Sequence, residues 1–500
     1  MAPECSASKD CVEQVNEPIC LPDATCGACK RDDDCKLRDE AAPLCAADGA
    51  CVACRGAVDC EDPALPVCDP QARACRACAA DVECESGACD LAEGRCFAAS
   101  DVYVVDDGGT CGSGNGTAGA PFCSIAEAMT AFTAAPRNFI TVRDGQYVFP
   151  ALASGPLPAF IGTPNADVHP AAAGGDCLQL DSSSRLDLRG FHFIGCGTAI
   201  RVGASATQVG VTGTHIDGSV TGLDCRANTC VVTDLQVGTT TTAVRCSNGA
   251  RCTIEGSAVT GGDVGFAISG GTLLLHDSSV TATRLYGLQI TDSESEVVHT
   301  SVRDVGKMST GASAAVVCTG SYCTFDRTRI TGARGAGLVL RSGSFEVYNS
   351  AIMGNGSDDA TLADNGGVVL APNASATTRL FLNNTVAGNR AAGNATSGVR
   401  CSAAVALKSS IVWGGTGTPL DAACSPTYCD IDSAALLAGV GNLHADPKLT
   451  SVTPGAMDEH LAADSPCIDA GDPGAASSKD IDGQERPSNG RVDIGADESE

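Results

Sequence analysis

Aromatic side chains are scarce: they make up 4% of the 500 residues, and Trp413 is the single tryptophan. A broad layered core or a helical bundle needs bulkier apolar side chains, so this composition suits narrow stacked coils filled by Val, Thr, Ser and Ala. Trp413 reads as a packed residue rather than a sugar-stacking platform. Basic residues are also thin, 32 Lys and Arg against 60 Asp and Glu, and the net charge of -28 repels phosphate backbones and anionic lipid. Nucleic acid is thereby excluded as a partner, and the acidity reads as a well-hydrated surface. No apolar run reaches the roughly 18 residues that cross a bilayer, so no transmembrane segment is expected. Nor does a basic stretch followed by an apolar one open the sequence, which starts Met-Ala-Pro-Glu-Cys. The leader that export requires is expected to have been trimmed, or the start misassigned.

Cysteine, by contrast, is abundant. There are 30, with only seven histidines and no zinc-type pair of Cys-x-x-Cys clusters, so disulfides are expected rather than metal sites. Such a framework persists only in an oxidising compartment, which places the protein outside the cell or on its surface. A chain of this length exceeds the roughly 250–300 residues at which one core stops growing, unless it is a solenoid.

Residues 1–98 form a tandem array: Cys5, Cys11, Cys20, Cys26; Cys29, Cys35, Cys45, Cys51; Cys54, Cys60, Cys68, Cys75; Cys78, Cys84, Cys89, Cys96. Each unit opens Cys-x5-Cys with an acid before the second cysteine (Asp10, Asp34, Asp59, Glu83), and units restart about every 24 residues. Units so short bury too little apolar surface to fold unaided, and two disulfides apiece would supply the stability. Four cysteines allow three connectivities, which the spacing leaves open. The array reads as a rigid stalk in preference to a ligand-binding module.

From residue 99 to 445 a different period takes over. The phrases Cys177-Leu-Gln-Leu, Ala199-Ile-Arg-Val, Gly222-Leu-Asp-Cys, Ala243-Val-Arg-Cys, Gly265-Phe-Ala-Ile and Gly287-Leu-Gln-Ile recur at intervals of 21 to 23 residues (199 to 222, 222 to 243), and further copies follow at Ala315, Gly337, Gly367 and Gly398. Between them lie two more apolar anchors five residues apart, such as Val211 and Ile216, Ile254 and Val259, and Phe325 and Ile330. Three short strands per turn predict an all-β chain, a parallel β-helix of about ten or more coils. Before the first coil, Ser124 to Phe132 reads as a short amphipathic helix covering its open end. Cys225 and Cys230, Cys246 and Cys252, and Cys318 and Cys323 fall in matching columns and predict a local disulfide in each turn. Cys111 with Cys123 and Cys177 with Cys196 are further expected pairs. Insertions Arg303 to Ala314, Met353 to Gly366 and Ala387 to Ser397 fall at one corner, the usual place for binding loops of a solenoid.

These motifs carry resemblances. The array resembles the Cys-rich repeats that precede β-helix domains in surface proteins of myxobacteria. Tyr103-Val104, the glycine-rich loop and Pro121-Phe122-Cys123-Ser124-Ile125 resemble the start of pectin-lyase-like proteins, which implies a right-handed coil. In the C-terminal stretch 446–500, Ser465-Pro-Cys-Ile-Asp-Ala-Gly-Asp, Asp480-Ile-Asp-Gly-Gln-Glu-Arg-Pro and Gly490-Arg-Val-Asp-Ile-Gly-Ala-Asp-Glu closely resemble the terminal motif of bacterial β-helix proteins of the choice-of-anchor class. This motif is read as a cap in which Asp482 pairs with Arg486. A Ca²⁺ loop using Asp480, Asp482 and Asp493 is the competing reading.

A β-helix hosts lyases, hydrolases, binding proteins and adhesins, so function must come from the site. Polygalacturonase-like enzymes carry Asn-Thr-Asp, Asp-Asp, Gly-His-Gly and Arg-Ile-Lys in successive coils. Here Arg329-Ile-Thr departs at its last residue, and Asp358-Asp359 has no histidine after it. Aligning the coils instead stacks Asp277, His299 and Arg327 about 4.8 Å apart, with Glu255, His276 and Asp326 one position earlier and Asn349 next in the column. An acid beside a histidine suits a general base, and an arginine suits a sugar carboxylate. Ordinary polar ladders, with Asn349 and Asn383 as the example, are the competing explanation of the column. The leading expectation is a secreted or surface protein that binds polysaccharide or another envelope component, without catalysis. Alternatives are a polysaccharide lyase or glycoside hydrolase on an acidic glycan, using Asp277, His299 and Arg327, and a purely structural envelope protein.

Overall fold

The computed structural model describes all residues except 1–7, 12–18, 22–24, 37–40, 109–110, 153, 182–183, 307–313, 360–364, 434, 436–438, 475–478, 489 and 500. The chain divides into two compact units, Met1–Arg143 with Pro158–Thr163, and Asp144–Leu157 with Pro164–Glu500.

In the first unit the cysteine repeats pair first to third and second to fourth: Cys29–Cys45 and Cys35–Cys51, Cys54–Cys68 and Cys60–Cys75, Cys78–Cys89 and Cys84–Cys96. Cys11–Cys26 follows the same rule, and Cys5 lies outside the described residues. Each repeat ends in a two-residue antiparallel ladder, such as Leu44–Cys45 with Cys51–Val52. The acid before the second cysteine has a local task. Asp59 accepts the backbone N–H of Arg55 and Gly56, and Glu83 those of Ala79 and Ala80, each acid closing the start of the short 3-10 turn it stands in, Ala57–Asp59 or Asp81–Glu83. Ala88 of the last repeat packs with Val102, Val104, Phe139 and Ile161. Those apolar residues belong to three parallel strands, Val102–Val105, Phe139–Val142 and Ala159–Gly162. The helix Ile125–Ala134, N-capped by Ser124, buries Ile125, Ala128 and Phe132, and Cys111 is bonded to Cys123 ahead of it.

The second unit is a parallel β-helix. Sheet A runs here from Arg185–Arg189 to Cys424–Thr427, a 13-stranded sheet B from Gly145–Tyr147 to Asp430–Ile431, and an 11-stranded sheet C from Leu178–Leu180 to Thr418–Leu420. Each coil contributes one strand to each sheet in turn. In-register pairing stacks Val211, Val232, Ile254, Leu275, Val297, Phe325, Val347 and Phe381 in one column inside sheet A, every one at most 1% exposed. Ile216 through Val386 form the matching column in sheet B. Burial of these columns against their neighbours, at roughly 25 cal/mol per Å², is what the recurrent apolar anchors supply.

The recurring Gly or Ala that opens each sheet C phrase has a steric cause. A Cβ at Gly337 would come within 2.5 Å of Ile352 Cγ2, and one at Gly265 within 2.8 Å of Val280 Cγ1, so the sheet B anchors occupy that space. Sheet C joins sheet A through Cys225–Cys230, Cys246–Cys252 and Cys318–Cys323, and Cys230, Cys252, Leu273, Ser295 and Cys323 share one column. Cys177–Cys196 and Cys401–Cys424 link other coils, while Cys429 and Cys467 are buried thiols.

The corner between sheets A and B is sharp. Gly213, Asp234, Gly256, Asp277, His299, Arg327, Asn349 and Asn383 occupy it in successive coils, with φ between 46° and 61°. A polar ladder runs through the residue that follows this corner column. Ser257 N–H donates to Ser278 Oγ, Ser350 N–H to Asn384 Oδ1 and Asn384 N–H to Ser410 Oγ, while the carbonyls of the same three residues accept from the next coil, so the side chains satisfy the N–H groups that the bend leaves over. The three insertions leave the coil after the sheet B strands Ser301–Arg303, Ala351–Met353 and Thr385–Ala387. Parts of the first two, 307–313 and 360–364, lie outside the described residues.

The C-terminal stretch is a strap along the outer face of sheet B. Its Met457, Ile481 and Ala496 pack with Ala351, Met353 and Ala387, and its Leu461, Cys467 and Ile494 with Ile411 and Trp413. The expected Asp482–Arg486 pair does not form. Arg486 is buried, lies 3.6 Å from Glu498 and donates to Gly495 O, whereas Asp482 faces outward to Arg329 and His460.

Candidate functional site

Strands of sheet A alternate inward and outward with a period of two, so the inward columns fix what faces solvent. Outward lie Arg251, Thr272, Glu294 and Tyr322 in one row, Thr253, Leu274, Glu296, Thr324 and Glu346 in the next, and Glu255, His276, Val298, Asp326 and Tyr348 in the third. Together the central coils line a groove of about 770 Å³ whose walls include Tyr322, Tyr348, Glu294, Glu296, Glu346 and Arg251. Tyr322 Oη donates to Glu346 Oε1 at 2.6 Å, and this bond, with burial, raises its pKa. Burial, then the charges of Asp326, Glu346 and Glu296, push Tyr348 up to about 12. Both phenols therefore stay protonated donors on an acidic, partly apolar floor.

At the edge of this face is the corner column. Asp277 Oδ1 lies 2.5 Å from His299 Nδ1, both about half exposed. Arg327 shares a cavity of about 240 Å³ with them, together with Ser279, Ser301 and Arg329. The guanidinium of Arg327, however, bonds Asp326 rather than the Asp277–His299 pair, and Asn349, buried, donates to the other oxygen of Asp326. Of the remaining expected residues, Glu255 is exposed at a strand end, and His276 Nε2 is buried without a hydrogen-bond partner. Val298 separates His276 from Asp326, so these do not form a continuous acid–imidazole stack.

From the far side the strap reaches Arg329, which donates to Glu459 Oε1 and Asp482 Oδ1, each at 2.6 Å. His460 lies 2.5 Å from Asp458 and 2.7 Å from Asp482. Burial opposes its charged form, but the two carboxylates prevail and hold its pKa at about 9. The carboxylates of the candidate Ca²⁺ loop have other partners, Asp482 turning to Arg329 and His460. Asp480 accepts backbone N–H from Asp482, Gln484 and Glu498, and Asp493 accepts from Asp469 and Ser499. Those contacts are what a turn-closing aspartate makes.

Sequence reasoning missed the groove. Tyr322, Glu294, Glu296 and Glu346 follow no motif, and the usable signal was their position one residue from an inward side chain, Ser295, Cys323 or Val347.

No curated protein matches the sequence. Among solved structures, that of the pectate lyase Pel9A is similar over 80% of this chain and 96% of its own, at 15% identity and a TM-score of 0.34. Among the described residues no helix is long and apolar enough to cross a membrane. Over residues 242–405, which carry both the groove and the Asp277–His299 corner, the sequence matches the family model for a right handed beta helix region, and the fold is accordingly a right-handed parallel β-helix.

Proposed function

We propose that the protein is a secreted or surface polysaccharide-binding protein, with the sheet A groove as its binding face and the Cys-rich array as a stalk. The observation that carries this reading is the groove of about 770 Å³ in which two protonated tyrosines stand among Glu294, Glu296 and Glu346. Phenol rings offer flat apolar contact and a donor, and carboxylates accept sugar hydroxyls, so the surface suits a polyhydroxylated chain. Its acidity selects against uronic acids and in favour of neutral or amino-sugar polymers. Affinity electrophoresis of the purified protein against neutral, amino-sugar and uronic-acid glycans tests this. Retardation by the first two classes, lost in Tyr322→Ala and Tyr348→Ala, is expected; no retardation, or retardation indifferent to both variants, sinks it.

The enzymatic alternative is favoured by one feature, the Asp277–His299 pair opening on a cavity with two arginines, where an acidic sugar would be held. Release of unsaturated or reducing ends from a uronic-acid glycan, abolished by His299→Ala, would replace the binding reading with this one.

A further inference from the structure

Four side chains on the outer face of sheet B, away from the groove, converge in a way the binding reading does not use. Asp167, His192 and His215 are aligned on three successive strands, and Asp217 lies two residues after His215. Asp217 Oδ2 is 3.3 Å from His192 Nε2 and 2.8 Å from His215 Nε2. The two rings meet edge to face with centroids 4.9 Å apart. On its other side, His192 Nδ1 is 2.9 Å from Asp167 Oδ1.

From these contacts we infer a binding site for a divalent transition-metal ion, Zn²⁺ being the ion it suits best. If His192 gives its Nδ1 proton to Asp167, its Nε2 presents a lone pair toward the carboxylate of Asp217. Two lone pairs at this distance repel unless a cation lies between them, which is either a metal ion or the second proton of an imidazolium. Ligands held at about 2.0–2.1 Å from a zinc ion lie roughly 2.9–3.4 Å from one another in octahedral to tetrahedral arrangements. Of the two Nε2···Oδ2 separations, 3.3 Å lies within that range and 2.8 Å just under it. Two imidazoles and one carboxylate are a recurrent ligand set for such ions, and a carboxylate behind the ligating imidazole fixes its tautomer, as Asp167 does here. The three ligands are partly exposed, His192 24%, Asp217 43% and His215 49%, so the remaining coordination position faces water or an incoming ligand. An ion there would tie the coils of His192 and His215 together.

The test is metal uptake by the tag-free, disulfide-intact protein, titrated with Zn²⁺ and, for its visible spectrum, Co²⁺. One equivalent per chain is expected, with a spectrum lacking thiolate-to-metal bands, since Cys429 and Cys467 are buried elsewhere. His192→Ala and His215→Ala should each abolish uptake, and Asp167→Asn should weaken it roughly 10–100-fold. Because His215 is half exposed, His215→Ala should keep the native circular dichroism spectrum, separating loss of the site from loss of the fold. Absence of a stoichiometric ion, or uptake unchanged in both histidine variants, overturns the proposal and leaves Asp217 as an acceptor of two imidazole protons.

Discussion

Arg329 and Glu459, 130 positions apart in sequence, are joined by a hydrogen bond of 2.6 Å from Nε to Oε1. The arginine stands on sheet B and the glutamate on the strap, so this bond pins the C-terminal segment beside the cavity of Asp277 and His299.

Arg329→Ala should therefore loosen the strap. Glu459 is only 5% exposed, and its carboxylate would lose its charged partner while staying largely out of water. A buried polar group left unsatisfied costs about 1–3 kcal/mol. Thermal unfolding should shift down accordingly, and limited proteolysis should cut within 446–500 first. An Arg329→Ala protein with unchanged melting and cleavage would show that apolar packing alone holds the strap.

The same cluster sets a pH dependence. The folded pKa of His460, about 9, lies above its ordinary 6.5, so its contribution is complete below pH 6.5 and disappears as pH rises through 9. Asp482 is shifted the other way: burial opposes its charge, but His460 and Arg329 hold it below 3.8, so its contribution is lost only as pH falls through that lower value. Asp493, pushed up to about 6 by burial, gives stability that fades between pH 4 and 6. Strap protection against protease should consequently decline between pH 7 and 9.5, and His460→Gln should flatten that decline. An unchanged alkaline limb in the variant would assign it to other groups.

The fold was legible because each of its rules is periodic. One anchor five residues after another, a Gly or Ala where Ile352 or Val280 needs room, and cysteines in one column all recur coil after coil. The site was less so. Asp277 and His299 were brought together correctly by that alignment, yet Arg327 turned to Asp326, a choice between neighbours on the same corner that spacing does not determine. Asp482 could not be assigned to Arg329 from sequence, since nothing periodic relates the strap to the coil it lies on. Nor did any spacing rule single out His192 and His215, whose histidines look unexceptional until Asp167 and Asp217 are placed beside them.

Reduction should act unevenly. The repeats between Cys29 and Cys96 have small apolar clusters, such as Val67 with Cys78, Cys84 and Cys89, and rely on cysteines even there. Removing native disulfides from such small domains typically costs about 2–5 kcal/mol and abolishes folding. The coil keeps its apolar columns without its bridges, and opening the short Cys225–Cys230 loop costs about 2 kcal/mol on the same chain-entropy scale. With graded reductant, proteolysis should therefore consume the array while a fragment containing 164–445 persists. Simultaneous loss of both would mean that the bridges between sheets C and A, rather than the columns, support the coil.

The corner column separates stability from function. Holding an ordinary residue in the left-handed region costs roughly 1–2 kcal/mol, a penalty that Gly avoids and Asn and Asp largely escape. Gly213, Gly256, Asn349 and Asn383 respect that preference, whereas Arg327, at φ 49°, does not. Strain of this sort persists where a side chain has another use, here a guanidinium at the mouth of the cavity. Arg327→Asn gives up a partly exposed pair with Asp326, a contact worth about 0–1 kcal/mol. Relief of backbone strain should match or exceed that loss, so the variant should melt no lower than the wild type and up to a few degrees higher. Any affinity for acidic sugars at this corner should fall at the same time. A clear drop in melting temperature would show that the Arg327–Asp326–Asn349 chain of hydrogen bonds is structural, and the corner would then have no claim to a ligand.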